Sequence, residues 1–121
     1  MLSNHVVAWI DHAQAHVIHF NPEAAETEVI KTHSSHPHNK SGANTADSTH
    51  YFNAVASALD GAREILLVGP GLEKQAFMKH LEQHHHGVAK CVMGVETVDH
   101  PTDGQLLKYA RKYFLKVDQM L

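Results

Sequence analysis

One turn in this sequence has residue types that bind phosphate in many α/β proteins. The apolar run 65–68 ends at Gly69, and a Gly-Pro-Gly turn leads to Lys74, four residues after Pro70. A glycine-rich turn from a strand into a helix exposes backbone N–H groups, and the helix N-terminus carries a partial positive charge. We therefore predict an anion site at Gly69, Gly71 and Lys74. The alternative is a structural turn, because the spacing matches neither a P-loop nor a dinucleotide fingerprint.

Further phosphate contacts are predicted in a polar segment and near the C-terminus. They are Lys40, Ser41, Gly42, Lys108, Arg111 and Lys112. Basic and small polar side chains supply most contacts to nucleic-acid backbones. The alternative is that these are ordinary solvated residues, because 10 Lys and Arg stand against 13 Asp and Glu, with a formal net charge of −3. Any contact with RNA must therefore be local.

Three carboxylates offer a different chemistry, metal-dependent phosphoryl transfer of the kind that nucleases perform. Asp11 follows the first apolar run, and Glu96 and Asp99 follow the last. Catalysis with two metal ions needs several carboxylates around the ions, and the predicted first helix supplies no further one. Asp11 also fits a hairpin turn, and Asp99 the approach to a helix. We therefore predict that the protein is not an enzyme, and keep the nuclease-like reaction as an alternative.

Histidine is abundant, with 13 residues in a chain of 121. The clusters are His12, His16 and His19; His33, His36 and His38; and His80 with His84, His85 and His86. Consecutive residues on a helix point about 100° apart, so at most one or two of His84–His86 can face one ion, and His80 with His84 is a better pair. The single Cys91 leaves no paired zinc-ligand spacing. We predict no cofactor, and keep a His-rich divalent-metal-binding protein as a second alternative.

The elements that position these groups follow from the apolar patterns. Strands are predicted at 5–10, 15–20, 26–32, 65–68 and 88–95; helices from Asp47 or Ser48 to about 60, from the Gly-Pro-Gly turn to Gly87, and from Thr102 onward; and a polar loop at 33–47. Four consecutive apolar residues at 65–68 are typical of a strand inside a sheet that is covered on both faces. The mixed polarity of 26–32 indicates an edge strand, and Cys91 is expected to be an inert core thiol in the last strand.

Two helix ends have specific signals. Gly87 is predicted at a left-handed C′ position, which would place the three imidazoles of His84–His86 in the last turn. Thr102 and Gln105 have the spacing of a capping box, opening a helix with Leu107, Ala110, Phe114 and Val117 on one face. The fold class is therefore α/β: a three-layer, five-stranded mixed sheet with helices on both faces, in the order β-β-β-α-β-α-β-α.

The length is that of one domain, covering residues 1–121. The sequence begins without the basic and apolar regions of a signal peptide, and its longest uncharged apolar runs are far shorter than a membrane span. We therefore expect a soluble protein of the cytoplasm.

Several strings resemble the middle domain of the class-one translation termination factors of eukaryotes and archaea, and of their relative Pelota. They are Val-Ala-Trp-Ile-Asp at 7–11, the long polar loop, His-Tyr-Phe-Asn-Ala-Val-Ala at 50–56, and the strand, Gly-Pro-Gly turn and helix at 65–77. The chain looks like a single-domain bacterial relative of that domain. The resemblance implies a ribonuclease-H-like fold, shared with components of the translation machinery, with which the predicted order of elements is compatible.

The resemblance also implies a function, with one departure. In the termination factors the polar loop carries Gly-Gly-Gln, whereas this sequence has Asn-Lys-Ser-Gly-Ala-Asn at 39–44 and no Gly-Gly-Gln anywhere. Peptidyl-tRNA hydrolysis is therefore not implied. We expect a non-catalytic module that associates with the ribosome or RNA through local phosphate contacts, rather than with DNA or a membrane, and keep a homodimer as a further option.

Overall fold

The centre of the fold is one mixed β-sheet. In the computed structural model, which describes residues 5–32 and 45–120, five strands lie in the order β3-β2-β1-β4-β5. They are β1 (His5–Ile10), β2 (Gln14–Phe20), β3 (Ala25–Lys31), β4 (Glu64–Gly69) and β5 (Val92–Thr97). β1, β2 and β3 pair antiparallel, whereas β4 is parallel to both of its neighbours. The predicted five-stranded mixed sheet is confirmed, with β3 at one edge as its polarity indicated.

Helices cover both faces of this sheet. They are α1 (Thr45–Ala58), α2 (Glu73–His84), α3 (His86–Ala89) and α4 (Asp103–Met120). Val55 of α1 and Phe77 of α2 share a buried cluster with Leu67, whereas Ala110 of α4 packs with Leu66 on the opposite face. Neighbouring residues of a strand point to opposite faces, so β4 contributes to both cores. The predicted three-layer architecture is confirmed.

The predicted central strand lies inside the sheet. The side chains of residues 65–68 are all 0% exposed, and β4 is placed between β1 and β5. β1 occupies the middle position, one strand away. A strand that is apolar on both faces is stable only where helices cover both sides, which is the situation of β4.

The N-terminal hairpin has the predicted form. β1 and β2 pair from His5 opposite Phe20 to Ile10 opposite Ala15. In the connecting turn, the Asp11 carboxylate accepts hydrogen bonds from the backbone N–H groups of Ala13 and Gln14, at 2.8 and 2.9 Å. This is the Asx type of turn that makes Asp common in tight connections.

Helix α1 begins earlier than predicted. Its first residue is Thr45, so the expected start at Asp47 or Ser48 is wrong. The first turn, Thr-Ala-Asp, has no large apolar residue, and therefore the periodicity that reveals the rest of the helix does not extend to it. The helix ends at Ala58, and Gly61 follows with a φ of 87°, a left-handed conformation that favours glycine. Of the predicted polar loop, residues 33–44 lie outside the described ranges.

The largest difference from the sequence prediction lies between α2 and β5. α2 ends at His84, and His85 leaves the helix with φ −139° and ψ 64°. The His85 carbonyl then accepts hydrogen bonds from the N–H groups of Val88 and Ala89, which forms the short helix α3. Gly87 is therefore not a left-handed C′ residue, and of the three imidazoles only that of His84 lies in the last turn of α2.

The start of β5 shifts accordingly. The run Val88–Cys91 was assigned to the strand, but β5 begins at Val92. Val88 and Ala89 still pack against the core, from a helical turn, because a short apolar run suits a buried helix as well as a strand. Cys91 lies in the connection, half-buried, and its thiol donates to the carbonyl of Gly87. The assignment of Cys91 to a strand is wrong.

Helix α4 opens with the predicted capping box. The Thr102 N–H donates to the Gln105 side chain at 2.9 Å, and the Gln105 N–H donates to the Thr102 hydroxyl at 3.1 Å. Within 103–117, the part of the helix whose side chains the structure describes, the buried residues are Leu106, Ala110 and Phe114, so the apolar face begins at Leu106 rather than at half-buried Leu107. Among the helices in the described ranges, none is long and apolar enough to cross a membrane.

Candidate nucleic-acid interface

The turn after β4 is built from two glycines with different structural roles. A Cβ atom added to Gly69 would lie 2.3 Å from the carbonyl oxygen of Ile10, because the ends of β1 and β4 approach closely there. A Cβ atom added to Gly71 would meet nothing within 4 Å. Gly69 is thus required for packing, whereas Gly71 faces open space at the N-terminus of α2.

Lys74 is directed back toward this turn. Its side chain is 4% exposed, and its ammonium group donates a hydrogen bond to the carbonyl oxygen of Gly71. Within residues 5–32 and 45–120 no carboxylate forms an ion pair with it. The predicted proximity of Lys74 to the turn is present, but the residue is buried and contributes a backbone contact that closes the turn.

The N-terminus of α2 also holds an acidic group that the sequence analysis did not single out. Glu73 lines a small cavity of about 340 Å³ together with Asp11, His12 and His100. Burial raises the pKa of Glu73, the nearby imidazole of His12 opposes this, and the Asp11 carboxylate raises it further. The sequence could have indicated Glu73 through its position just after the Gly-Pro-Gly turn, because an acidic residue in the first turn of a helix interacts favourably with the helix dipole. A carboxylate at this position competes with any incoming phosphate.

The solvent-facing side of α4 carries the exposed basic residues. Lys108, Lys112 and Lys116 are exposed and lie at intervals of four residues, so they form a stripe along one side of the helix. No ion pair to an acidic side chain involves them in the part of the chain that the structure describes. We call Lys108, Lys112 and Lys116 the α4 lysine stripe.

Two neighbours of the stripe have structural partners. The Tyr109 hydroxyl donates to the Glu96 carboxylate, and this hydrogen bond, with burial, raises the pKa of Tyr109 to about 12. Arg111 is half-buried, donates to the carbonyl of Asn21 at 2.9 Å and lies over the Phe20 ring at 5.9 Å. Arg111 therefore ties α4 to the end of β2 and borders an apolar cavity of about 350 Å³ beside Phe114.

The predicted anion-binding residues do not form one site. Lys74 follows the C-terminal end of β4, whereas Arg111 contacts Asn21 beyond the C-terminal end of β2. β2 is antiparallel to β1, and β1 is parallel to β4, so these two positions are at opposite ends of the sheet. Lys40, Ser41 and Gly42 lie outside the described residues.

Two of the three candidate carboxylates approach the same histidine, and the third has a different partner. Asp11 holds the hairpin turn through one oxygen, and its other oxygen is 3.8 Å from Nε2 of His100. Asp99 is solvent-exposed and pairs with Nδ1 of the same histidine at 2.9 Å. Glu96 is engaged by Tyr109 of α4 instead. No three His, Cys, Asp or Glu side chains within residues 5–32 and 45–120 are grouped so as to hold a metal ion.

The hairpin histidines take separate partners. His16 Nδ1 lies 2.8 Å from the Asp103 carboxylate at the start of α4, and His19 Nε2 lies 2.7 Å from the carbonyl of Ala58. The His16 and His100 rings both lie near the Trp9 ring, with centroids 5.8 and 5.1 Å away. These contacts join elements far apart in sequence and were not predictable from spacing.

Comparison with known proteins gives a likeness of fold. No family model matches this chain, and no curated protein matches it. The solved structure of Archaeoglobus fulgidus Pelota is similar, with a TM-score of 0.67 and 16% identity, over 93% of this chain and 32% of that chain. An archaeal translation termination factor, aRF1, has a TM-score of 0.64 and 16% identity, over 88% of this chain and 32% of that chain.

A third similar structure comes from a eukaryote. It is S. cerevisiae Dom34, described as a translation termination-like factor involved in RNA quality control pathways and interacting with Hbs1. Its TM-score is 0.54 with 13% identity, over 96% of this chain and 38% of that chain. This chain thus spans about a third of the length of these proteins. The predicted resemblance to a domain of the termination-factor and Pelota group is confirmed at the level of fold.

Proposed function

We propose that this chain is a non-catalytic module of the translation machinery that binds the ribosome through contacts with RNA phosphates. The observation that carries the proposal is the structural likeness to Pelota, which extends over 93% of the chain. Two of the three similar proteins described above, aRF1 and Dom34, are described as a translation termination factor and a translation termination-like factor. Fold alone does not determine function, so a surface suited to RNA is also required.

The α4 lysine stripe is the surface that best fits phosphate contacts. Its side chains are exposed, evenly spaced and without acidic partners among the described residues. A row of ammonium groups spaced by one helical turn can follow a phosphate backbone without reading its sequence. We assign Arg111 a positioning role, because it anchors the helix that presents the stripe.

The N-terminus of α2 is a second proposed contact. The backbone N–H groups after Gly71 and the ammonium group of Lys74 lie together at this point of the fold. Because Lys74 is buried, phosphate binding there would require its side chain to exchange the Gly71 carbonyl for the ligand. The polar segment containing Lys40, Ser41 and Gly42 is a third proposed contact, carried over from the sequence.

The absence of catalysis is part of the proposal. The sequence has no Gly-Gly-Gln. Asp11 and Asp99 both pair with His100, and Glu96 is held by Tyr109 instead. Two-metal phosphoryl transfer requires several carboxylates that converge on the ions, and one of these three is held by a tyrosine, so the arrangement favours a binding role. The ribosome as partner places the proposed activity in the cytoplasm, and association as a homodimer is kept as a proposal.

Reversing the charge of the α4 lysine stripe is expected to weaken ribosome binding. The test compares Lys108→Glu/Lys112→Glu with the unaltered protein, measuring the affinity for purified bacterial ribosomes across a series of salt concentrations. Each lost phosphate contact reduces the magnitude of the slope of log affinity against log salt by about one. The double variant should therefore reduce the magnitude of that slope by about two.

The matched control is Lys31→Glu/Lys90→Glu, which makes the same charge change at exposed lysines outside α4. The control should change affinity only slightly, through the overall field. Lys74→Met tests the second proposed contact independently of the α4 lysine stripe, since it removes one charge and keeps the approximate length of the side chain. If the α4 variant and the control bind with the same affinity and the same slope, the lysine stripe does not contact RNA.

A further inference from the structure

Two histidine side chains converge on a single oxygen atom at the end of α2. Nε2 of His80 lies 2.8 Å from the Oδ1 atom of Asn53, and Nε2 of His85 lies 2.9 Å from the same oxygen. Asn53 lies in α1 and His80 in α2, and His85 is the C-cap residue that follows α2. Three potential metal-binding atoms from two helices are therefore gathered at one point.

The two distances from the Asn53 oxygen to the imidazole nitrogens match the separation of neighbouring ligands in an octahedral shell around a metal ion. Bonds from nitrogen or oxygen to zinc are about 2.0–2.2 Å long, which puts adjacent ligand atoms about 2.8–3.1 Å apart in an octahedral shell and about 3.3–3.6 Å apart in a tetrahedral one. Imidazole nitrogens favour the late first-row ions over magnesium or calcium. We propose that His80, His85 and Asn53 form a binding site for one such divalent ion, with Zn²⁺ as the ion to be tested.

The surroundings hold these side chains in place. His80 is 8% exposed, and its ring packs 5.4 Å from that of Phe52, the residue before Asn53. The main chain at His85 is held by its backbone N–H, which donates to the carbonyl of Leu81 at 2.8 Å. The position of the ligands is thus set by packing and by the end of the helix, which lowers the entropy lost on binding an ion.

The tautomer that a metal ion needs is available to both rings. A neutral imidazole is the form that binds metals, and the ring needs only to carry its proton on Nδ1 for Nε2 to bond the ion. The ion then replaces the two hydrogen bonds to Asn53, and its remaining positions are open to water because Asn53 is exposed.

The predicted pairing of His80 with His84 is replaced in this proposal. The ring centroids of His80 and His84 are 4.8 Å apart, but the nitrogen of His80 is directed at Asn53 of α1, as is that of His85. An ion bound there would link α1 to α2, so binding should raise the melting temperature as well as release heat. The proposal goes beyond the proposed function and does not depend on it.

Titration with Zn²⁺, followed by calorimetry and by thermal unfolding, tests the site with two variants of opposite effect. His85→Gln removes one imidazole and should weaken zinc binding by about tenfold or more. Asn53→Asp keeps the size of the side chain and adds a negative charge, and should tighten binding and increase the zinc-dependent rise in melting temperature. A gain in affinity cannot result from partial unfolding, so the pair remains informative if one variant is less stable.

Two controls separate this site from the other histidines. His86→Gln changes an exposed neighbour of His85, and His33→Gln/His36→Gln/His38→Gln changes the second histidine cluster of the sequence. Both are expected to retain the zinc-dependent rise in melting temperature. Zinc binding that survives His85→Gln unchanged, or that Asn53→Asp fails to tighten, overturns the proposal.

Discussion

The variant Leu67→Asp is expected to lose most of its folded population. Leu67 is fully buried and lies in β4, opposite Ala8 of β1 and Val95 of β5. The substitution removes a large buried side chain, which costs about 2–5 kcal/mol, and also buries a carboxyl group without a partner. Because domains of this kind have a total stability of roughly 5–15 kcal/mol, the combined loss is comparable to the whole.

Leu72→Asp is the matched control for this prediction. It makes the same chemical change five positions away, at a leucine whose side chain is 75% exposed. Thermal unfolding followed by circular dichroism should show a melting temperature close to that of the unaltered protein for Leu72→Asp, and no cooperative transition for Leu67→Asp. A cooperative transition at an unchanged temperature in Leu67→Asp would show that β4 is not part of the core.

Gly69→Ala is the second substitution with a large expected effect. The added Cβ atom would be 2.3 Å from the Ile10 carbonyl oxygen and 3.4 Å from its carbon, and both belong to the backbone of the middle strand. Since backbone cannot rotate away as a flexible side chain does, β1 and β4 must separate at this end. Overpacking of this kind costs about 1–3 kcal/mol, and we expect the upper part of that range.

The sequence itself provides the control for Gly69, two residues later. Gly71→Ala places a Cβ atom in open space, and Gly71 does not have a positive φ. It should therefore be neutral or slightly stabilising, because alanine restricts the unfolded chain. Urea denaturation of both variants measures the difference, and equal midpoints would contradict the close approach of β1 and β4.

The contrast between the two glycines illustrates what a sequence reveals. The Gly-Pro-Gly string predicted a turn from a strand into a helix, and that turn is present. The string does not indicate which glycine is required for packing, because the answer depends on the Ile10 carbonyl, 59 positions earlier in the chain. Local conformation is encoded locally, whereas close approach depends on which strands are neighbours.

The elements that were predicted correctly have strong local signals. The β1–β2 hairpin has an Asp in its turn, β4 has four consecutive apolar residues, and α4 has both halves of a capping box. The segment between α2 and β5 was predicted wrongly because Val88 and Ala89 suit either a strand or a helical turn. Their backbone N–H groups donate to the His85 carbonyl, which stabilises the helical turn.

The candidate sites were harder to predict than the fold. Lys74 was correctly placed near the Gly-Pro-Gly turn, but its burial depends on the surrounding structure and not on the local sequence. The convergence of His80 and His85 on Asn53 joins residues 27 and 32 positions apart, and no spacing rule relates them. The predicted pair, His80 with His84, followed the helical period, which describes one helix and not the helix packed against it.

Sedimentation of a cell extract through a sucrose gradient tests the proposed function most directly. At low salt the protein is expected to travel with ribosomes or with one ribosomal subunit, and at high salt it should return to the top of the gradient, because phosphate contacts weaken as salt rises. The variant Lys108→Glu/Lys112→Glu should leave the ribosomal fractions at a lower salt concentration than the Lys31→Glu/Lys90→Glu control. If the unaltered protein remains at the top of the gradient even at low salt, while ribosomal proteins sediment normally, the proposed function is wrong.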